Sequence, residues 1–202
     1  MSQGEKMPLA MVEPIARELV EWLAPFCERI AIAGSIRRCK RLVGDIEIVA
    51  IAKVENRPSL SLFGDPERVD LLAENLAWHR MMGKIRARDV EVHRKDGTLE
   101  HSTRVGSAYQ ALVFRDVPVD LFITTADQWG VIYALRTGPG DWNVRLVTDC
   151  KRYFRSVVGG QVIHAGKPVP CLEEADFFRA IGQPWVEPAD RRAERVAIGR
   201  PT

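Results

Sequence analysis

Hydrophobic side chains in the first part of the chain recur first at helical and then at strand spacing. In residues 8–28 they repeat every three or four positions, which predicts a helix whose first turn is marked by Pro14. Residues 29–33 and 45–53 are short apolar segments rich in β-branched side chains, as is typical of strands. Gly34-Ser35 ends the first of them, so the pattern predicts a helix followed by two strands.

The middle of the chain continues with a helix and then with strands that pair locally. A proline predicts the start of a second helix at residues 66–78. The Asp-Gly step within residues 95–98 is a hairpin signal. Residues 109–115 and 118–124 predict two further strands, joined by a tight turn at Asp116.

The last third of the chain changes from helical periodicity to shorter elements. Residues 127–136 and 141–154 predict two helices separated by a Gly-Pro-Gly segment. After Gly159-Gly160 the pattern predicts short strands and a short helix over 173–181, followed by a proline-containing tail at 183–192.

The order of these elements predicts an α+β protein. Residues 1–138 would form a mixed β-sheet with flanking helices, and residues 139–202 a small α+β C-terminal subdomain. The boundary between them stays open, because the helix after Gly140 could pack on either side.

Composition narrows the class of protein. The chain has 202 residues, enough for one large domain or two small ones with a proper core. The net charge of +2 gives no bulk attraction to nucleic acid, so any such contact must come from local basic patches. The four cysteines are scattered without a CxxC pair, which argues against zinc and against a secreted disulfide scaffold.

Targeting signals are also missing from the sequence. The N-terminus has no signal-peptide core, and no apolar run approaches membrane length. We therefore expect a monomeric cytoplasmic protein without a membrane partner, free or nucleoid-associated, or encoded by a virus or phage.

Three carboxylates carry most of the chemical information. Asp45 and Glu47 lie two apart on a predicted strand, so their side chains point to the same face. Asp120 lies on another apolar strand, within Val117-Pro118-Val119-Asp120-Leu121-Phe122-Ile123. Carboxylates on an apolar strand are costly unless a cation sits among them, and hard oxygen ligands favour Mg²⁺ or Mn²⁺. The three acids together predict a site for two such ions.

A Gly-Ser step and a basic loop precede the acid pair. After Gly34-Ser35 come Arg37, Arg38, Lys40 and Arg41, four cations in five residues. Gly-Ser alone is usually only a polar turn. The combination Gly-Ser-x-Arg-Arg, five residues, Gly-Asp-x-Glu is more specific and predicts a triphosphate held beside the metal ions.

These motifs resemble the nucleotidyltransferase superfamily and, within it, the family X DNA polymerases related to DNA polymerase beta. Gly34-Ser35 with Gly44-Asp45-Ile46-Glu47 is similar to the signature of that family's palm, and Val119-Asp120-Leu121 to the strand of its third catalytic acid. The segment from Tyr133 to Asn143 resembles the family's nucleotide-contacting Thr-Gly segment. Residues 166–192 are similar to its C-terminal subdomain, so the resemblance covers the chain from about residue 29 to 192.

The resemblance implies roles for individual residues. Asp45, Glu47 and Asp120 would be the catalytic acids and the ligands of two Mg²⁺ or Mn²⁺ ions. The residues that would bind the nucleotide are Gly34, Ser35, Arg38, Gly44, Gly138, Trp142 and Asn143. Trp142 is equally well interpreted as a core aromatic. The residues that would contact DNA are Arg37, Lys40, Arg41, Arg145 and Lys151, although solvated helix charges are the better interpretation of the last two. Further basic candidates lie in residues 80–104 and at Arg191, Arg192 and Arg195.

The chain departs from the family pattern in three places. Asp45-x-Glu47 replaces the usual Asp-x-Asp, which leaves the metal geometry open. Leu135 and Arg136 occupy the positions of two aromatic residues that meet the sugar, and Tyr133 comes two residues too early. Only about thirty residues precede the palm, without a helix-hairpin-helix Gly-x-Gly, so no lyase activity is implied.

Three functions follow as hypotheses. The first is a minimal DNA-directed DNA polymerase that adds nucleotides from a nucleoside triphosphate to a primer 3′-hydroxyl, releases pyrophosphate and fills short gaps in DNA repair. The second is a nucleotidyltransferase acting on a small molecule, a protein or an RNA end. The third is a non-catalytic nucleic-acid-binding remnant, which the intact set of three acids disfavours.

Overall fold

The computed structural model describes residues 6–58, 65–93, 99–103, 105–151 and 155–192. Within them the chain is an α+β protein, as the pattern predicts. The helices are α1 Leu9–Leu23, α2 Gly34–Arg37, α3 Leu71–Met81, α4 Trp129–Thr137, α5 Gly140–Lys151 and α6 Glu174–Ala180.

Most strands are short and pair with a neighbour in sequence. They are β1 Met7–Pro8, β2 Cys27–Ile32, β3 Leu42–Val43, β4 Ile46–Ala52, β5 Val54–Arg57, β6 Glu67–Asp70, β7 Arg86–Ala87, β8 Asp89–His93, β9 Leu99–Thr103, β10 Tyr109–Phe114, β11 Val117–Thr124, β12 Arg155–Val158, β13 Gln161–His164 and β14 Lys167–Val169. No helix in the described part of the chain is long and apolar enough to cross a membrane.

A mixed five-stranded sheet organises the N-terminal part of the molecule. Its strand order is β2-β4-β11-β10-β7, and β4 and β11 run parallel while the other pairs are antiparallel. Alternate side chains of β4 and β11, such as Ile48 and Leu121, lie in the main hydrophobic core with buried residues of α1 and α3, among them Leu19 and Leu76. Glu47 and Asp120 lie on the opposite face because strand side chains alternate.

The predicted tight turn between β10 and β11 is confirmed. Arg115 and Asp116 connect the strands with φ of 48° and 62°, so both adopt the left-handed conformation found in two-residue hairpin loops. This turn fixes the register in which Ala111 lies opposite Asp120.

The prediction of a helix starting at Pro66 is wrong. Glu67–Asp70 instead form β6 and pair with Val54–Arg57. The helix begins at Leu71, because the Asp70 carboxylate accepts a hydrogen bond of 2.9 Å from the Ala73 N–H and caps it. The aspartate cap, rather than the proline, marks this helix start.

Other element boundaries shift by smaller amounts. Helix α1 ends at Leu23 and is followed by a 3₁₀ turn through Phe26. Strand β2 therefore begins at Cys27, two residues before the predicted strand. The predicted hairpin appears as β8 paired with β9, while residues 94–98, which carry its predicted turn, lie outside the described part of the chain.

The C-terminal part has a core of its own. The antiparallel strands β12, β13 and β14 pack with α5 and α6 around buried aromatic side chains that include Trp142, Phe177 and Phe178. Val131 and Ala134 of α4 belong to this cluster, while Trp129 at the start of α4 packs against the central sheet. Helix α4 therefore connects the two cores, and α5 packs on the C-terminal side.

Candidate active site

The three acids lie on the face of the central sheet opposite the main hydrophobic core, a face on which Trp129 of α4 also packs. Asp45 immediately precedes β4, Glu47 is its second residue, and Asp120 is the residue of β11 paired with Glu47. In a parallel pair, residues opposite each other present their side chains to the same face. The chain thus brings together two carboxylates from one strand and one from its neighbour.

The charges of these acids influence one another. Burial, followed by the negative charge of Asp45, raises the pKa of Glu47 to about 7 from its ordinary value of 4.5. Burial and then the charge of Asp120 raise the pKa of Asp45 as well. Such coupling indicates a site at which a cation would remove an electrostatic cost that the protein alone cannot offset.

Asp120 is bonded to two side chains that sequence reasoning missed. Arg88, which follows β7, forms an ion pair with Oδ1 of Asp120, and the Tyr109 hydroxyl donates a hydrogen bond of 2.8 Å to the same oxygen. Neither bond uses Oδ2, which keeps its capacity for another ligand. The alternation of side chains in residues 109–115 could have predicted that Tyr109 shares a face with the acids. No feature of the sequence distinguishes Arg88 from the other basic residues of its segment.

The three carboxylates are suitable ligands for a divalent metal ion, but their side chains are not arranged around a common metal position. Three carboxylates provide the hard oxygens that Mg²⁺ and Mn²⁺ prefer. Within the described residues, however, no group of three or more His, Cys, Asp or Glu side chains is arranged to hold a metal ion. Glu47 lies against Gly34 and Asp120 is bonded to Arg88, so metal binding requires rearrangement of these side chains.

Gly34 is required by the position of Glu47. Gly34 has a φ of +61°, and a Cβ at this position would lie 1.8 Å from Oε2 of Glu47. Both the backbone conformation and the close approach therefore favour glycine. Gly34, for which a role beside the nucleotide is predicted, therefore has a local role in positioning the Glu47 carboxylate.

Gly34→Ala is expected to destabilise the protein by about 1–2 kcal/mol, because an L-residue is strained in the left-handed region. It should also displace the Glu47 carboxylate and lower any metal-dependent activity. Gly140→Ala is the matched control, since its Cβ would meet no atom within 4 Å and its φ is not positive. Urea unfolding checks the prediction, and equal stability of the two variants would contradict it.

A basic cleft borders the acids. It has a volume of about 550 Å³ and is lined by Lys6, Ser35, Arg38, Lys40, Arg41, Leu42, Gly44, Asp45 and Glu47. Three of the seven predicted nucleotide-binding residues, Ser35, Arg38 and Gly44, therefore line one cavity. The hydroxyl of Ser35 and Nε of Arg38 are buried there without a hydrogen-bond partner in the described residues.

Arg38 connects this cleft to the end of α4. Its guanidinium donates a hydrogen bond to the carbonyl of Thr137. Burial lowers the pKa of Arg38, while the nearby charges of Glu47 and Asp45 act in the opposite direction. Arg38 thus places a cation in the wall of the cleft beside Asp45 and Glu47.

The prediction that Arg37 binds DNA is contradicted by its contacts. Its guanidinium forms two hydrogen bonds with Glu174, of 2.8 and 2.5 Å, and a third of 2.8 Å with the Thr137 hydroxyl. It also stacks over the Tyr133 ring, 3.8 Å from the centroid. Arg37 is therefore a structural link between α2 and α6.

Two residues predicted for the nucleotide pocket have structural positions instead. Trp142 is fully buried in the C-terminal core, so the interpretation as a core aromatic is the one that fits. A Cβ on Gly138 would lie 2.4 Å from the Trp142 ring and 2.4 Å from Oδ1 of Asn143, so packing accounts for this glycine. Neither residue lines the cleft.

Asn143 caps the preceding helix rather than presenting its amide to the cleft. Its Nδ2 donates hydrogen bonds to the carbonyls of Leu135, at 2.6 Å, and Gly138, at 3.1 Å. These carbonyls lie at the end of α4, where backbone acceptors lack helical partners. Both amide hydrogens are thus used, and Oδ1 is buried without a described partner.

The remaining candidate DNA contacts fall into two groups. Lys40 and Arg41 are exposed beside the cleft. Arg145 and Lys151 lie on the exposed surface of α5 and do not line it.

The basic residues of the tail are divided by the edge of the described chain. Arg191 is 1% exposed and bonded to Glu174, which contradicts a DNA contact. Arg192 is exposed, and Arg195 lies outside the described residues.

Arg136 replaces one of the expected aromatic residues and lies on the acidic face. Its guanidinium stacks over Phe122, 3.9 Å from the ring centroid. Burial lowers the pKa of Arg136, while the charges of Glu47 and Asp120 act in the opposite direction. A cation here extends the positive rim around the acids.

Comparison of the chain with protein-family models and with curated proteins finds no match. The family resemblance therefore rests on the quoted motifs, and the site must be judged by its own chemistry.

Proposed function

We propose that this protein is a metal-dependent nucleotidyltransferase. The observation that carries the proposal is the meeting of two features: three electrostatically coupled carboxylates on one sheet face, and a cleft beside them lined by Ser35 and several cations. Carboxylates hold divalent metals, while hydroxyls and cationic side chains hold phosphates. Transfer of a nucleotidyl group from a nucleoside triphosphate needs both next to each other.

The roles of the residues follow from their positions. Ser35 and Arg38 would hold the triphosphate, and Arg38 would stabilise the charge that develops on the leaving pyrophosphate. Asp45 and Glu47 would hold both Mg²⁺ ions, and Asp120 the one nearer the attacking hydroxyl. The metal supplies charge neutralisation and a lowered hydroxyl pKa when bound. In this proposal Asp120 would also accept the proton of that hydroxyl.

We propose a DNA primer 3′-hydroxyl as the acceptor, with short-gap synthesis as the role. Lys40, Arg41 and Arg192 are exposed cations that support a contact with the phosphate backbone. One observation favours the second candidate, transfer to a small molecule or an RNA end. Arg37 and Arg191, two expected DNA contacts, both bond to Glu174, which reduces the basic surface available to bind a duplex.

Primer extension on a one-nucleotide-gapped duplex tests the proposal. We expect template-matched addition in Mg²⁺ or Mn²⁺, and a loss of at least about 100-fold in Asp120→Ala because a metal ligand and proton acceptor is removed. Each nucleotide is offered singly in its deoxy and ribo forms, since Arg136 replaces an aromatic residue at the sugar position.

The other outcomes distinguish the alternatives. Untemplated addition would indicate a terminal transferase. Absence of addition to DNA, with pyrophosphate released when tRNA or an aminoglycoside is supplied, would favour the second candidate. Unchanged behaviour of Asp45→Ala in every assay would indicate the non-catalytic remnant.

A further inference from the structure

The N-terminal strand brings a lysine to the cleft that no motif predicts. β1 pairs antiparallel with β3, with Met7 opposite Val43 and Pro8 opposite Leu42. The N–H of Leu9 continues this ladder with a hydrogen bond of 3.0 Å to the carbonyl of Arg41. Lys6, one residue before β1, therefore faces the end of β3 and lines the cleft.

The position of Lys6 is set by the residues that follow it and by the facing strand β3. Met7 packs against the main hydrophobic core, and α1 begins two residues later at Leu9. By extension of the register, Lys6 lies opposite Gly44, the residue before Asp45. The backbone is thus held while the long side chain remains exposed and able to reach a ligand.

Four cations but only two carboxylates, Asp45 and Glu47, line this cavity, so its lining carries a positive excess. Within the described residues, no ion pair joins Lys6, Lys40 or Arg41 to a carboxylate, although all three line the same cleft with Arg38. Like charges brought together from separate segments repel one another unless an anion lies among them. A phosphate chain is an anion of suitable charge and length, and each lysine can bond to it as a point charge.

We propose that Lys6 binds the phosphate chain of the nucleotide, so that the N-terminal strand forms one wall of the substrate site. This inference rests on the proposed function, because it assigns the ligand of the same cleft. Its consequence is that phosphate recognition depends on a segment distant in sequence from the Gly-Ser and Asp-x-Glu motifs. Lys6 would contact the nucleotide already in the ground state. Its removal should therefore weaken nucleotide binding more than it slows the reaction of the bound complex.

Titration calorimetry with inorganic triphosphate and Mg²⁺ tests the inference without reference to the base or the acceptor. Lys6→Met should weaken binding about 5- to 10-fold, as expected for loss of one partly exposed charge contact. Lys6→Arg should restore most of it. Lys167→Met, an exposed lysine on β14 that does not line the cleft, is the matched control and should bind as the unmodified protein does.

Arg38→Met separates the failure of this inference from that of the proposed function. Loss of binding in Arg38→Met but not in Lys6→Met would overturn the role of Lys6 and leave the phosphate site in place. Unchanged binding in both variants would overturn both proposals. Weakened binding in Lys6→Met and Lys6→Arg alike, together with a lower thermal midpoint, would assign Lys6 to the pairing of β1 and would also overturn the inference.

Discussion

Glu47→Gln is expected to stabilise the protein in EDTA at pH 8 by up to about 3 kcal/mol while abolishing metal-dependent transfer. Burial and the neighbouring acids raise the pKa of Glu47 to about 7 from an ordinary value of 4.5, and each unit of such a shift corresponds to about 1.4 kcal/mol. An amide at this position carries no charge and so avoids the repulsion by Asp45 and Asp120. It also removes an anionic ligand that the proposed reaction needs.

The pH dependence follows from the direction of this shift. A carboxyl group whose pKa is higher in the folded than in the unfolded protein binds its proton more tightly when folded. Its ionisation therefore costs stability as the pH rises from about 4.5 to about 7, and the full cost is present above both values. The gain from Glu47→Gln should be largest at pH 8 and should shrink towards pH 4.5. Added Mg²⁺ should reduce it, since the metal stabilises the ionised carboxylate.

Urea unfolding at several pH values, with and without Mg²⁺, measures this effect. Glu28→Gln is a suitable control because Glu28 is an exposed residue of β2, away from the three acids. It should show no comparable gain at pH 8. A Glu47→Gln variant that is less stable than the unmodified protein at pH 8 in EDTA would mean that the carboxylates do not repel one another as inferred.

The sequence alone predicts which face the Asp45 and Glu47 side chains share, because that arrangement depends only on local alternation along a strand. The two-residue alternation that puts Asp45 and Glu47 on one face is a property of any strand, and an acid among apolar residues marks Asp120 in the same way. The parallel pairing that sets Asp120 beside Glu47 is not local. It depends on the path of the chain between residues 53 and 116, which periodicity does not specify.

Neighbouring arginines show why the remaining site residues could not be assigned. Arg37 and Arg38 are identical in type and adjacent, yet one bonds to Glu174 and the other to the carbonyl of Thr137 beside the cleft. Their partners lie about a hundred residues or more away along the chain. Only tertiary packing decides which arginine is structural, and the same is true of Trp142, whose pattern fits either a pocket or a core.

Glu174→Gln is expected to lower the free energy of unfolding by about 3–5 kcal/mol, because Glu174 is the partner of the structural Arg37. The Glu174 side chain is 5% exposed and lies between two guanidinium groups, with Arg37 at 2.5 Å and Arg191 at 2.9 Å. The Arg191 side chain is fully buried and is surrounded by Trp142, Phe178 and Trp185. Removing the only charge that Glu174 supplies would leave buried cations without compensation, which is costly in a protein interior.

The exposed pair of Arg57 and Glu74 provides a matched control. It has the same two-point geometry, with both N–O distances at 2.8 Å, but its side chains are 45% and 54% exposed. Solvent screens such a pair, so Glu74→Gln should destabilise the protein far less than Glu174→Gln does. Urea unfolding of both variants under one condition measures the difference, and equal losses would contradict a buried triad.

A double-mutant cycle then shows whether Glu174 acts through Arg37. With Arg37→Met already in place, Glu174→Gln should cost less than in the unmodified protein, because one of the two cations that depend on it is gone. The loss should not vanish, since Arg191 still bonds to the same carboxylate. Arg37 and Arg38 share α2, so releasing Arg37 from α6 should also loosen the cleft and weaken binding of inorganic triphosphate. Stability loss with unchanged triphosphate binding would mean that the triad holds α6 in place without positioning the residues that line the cleft.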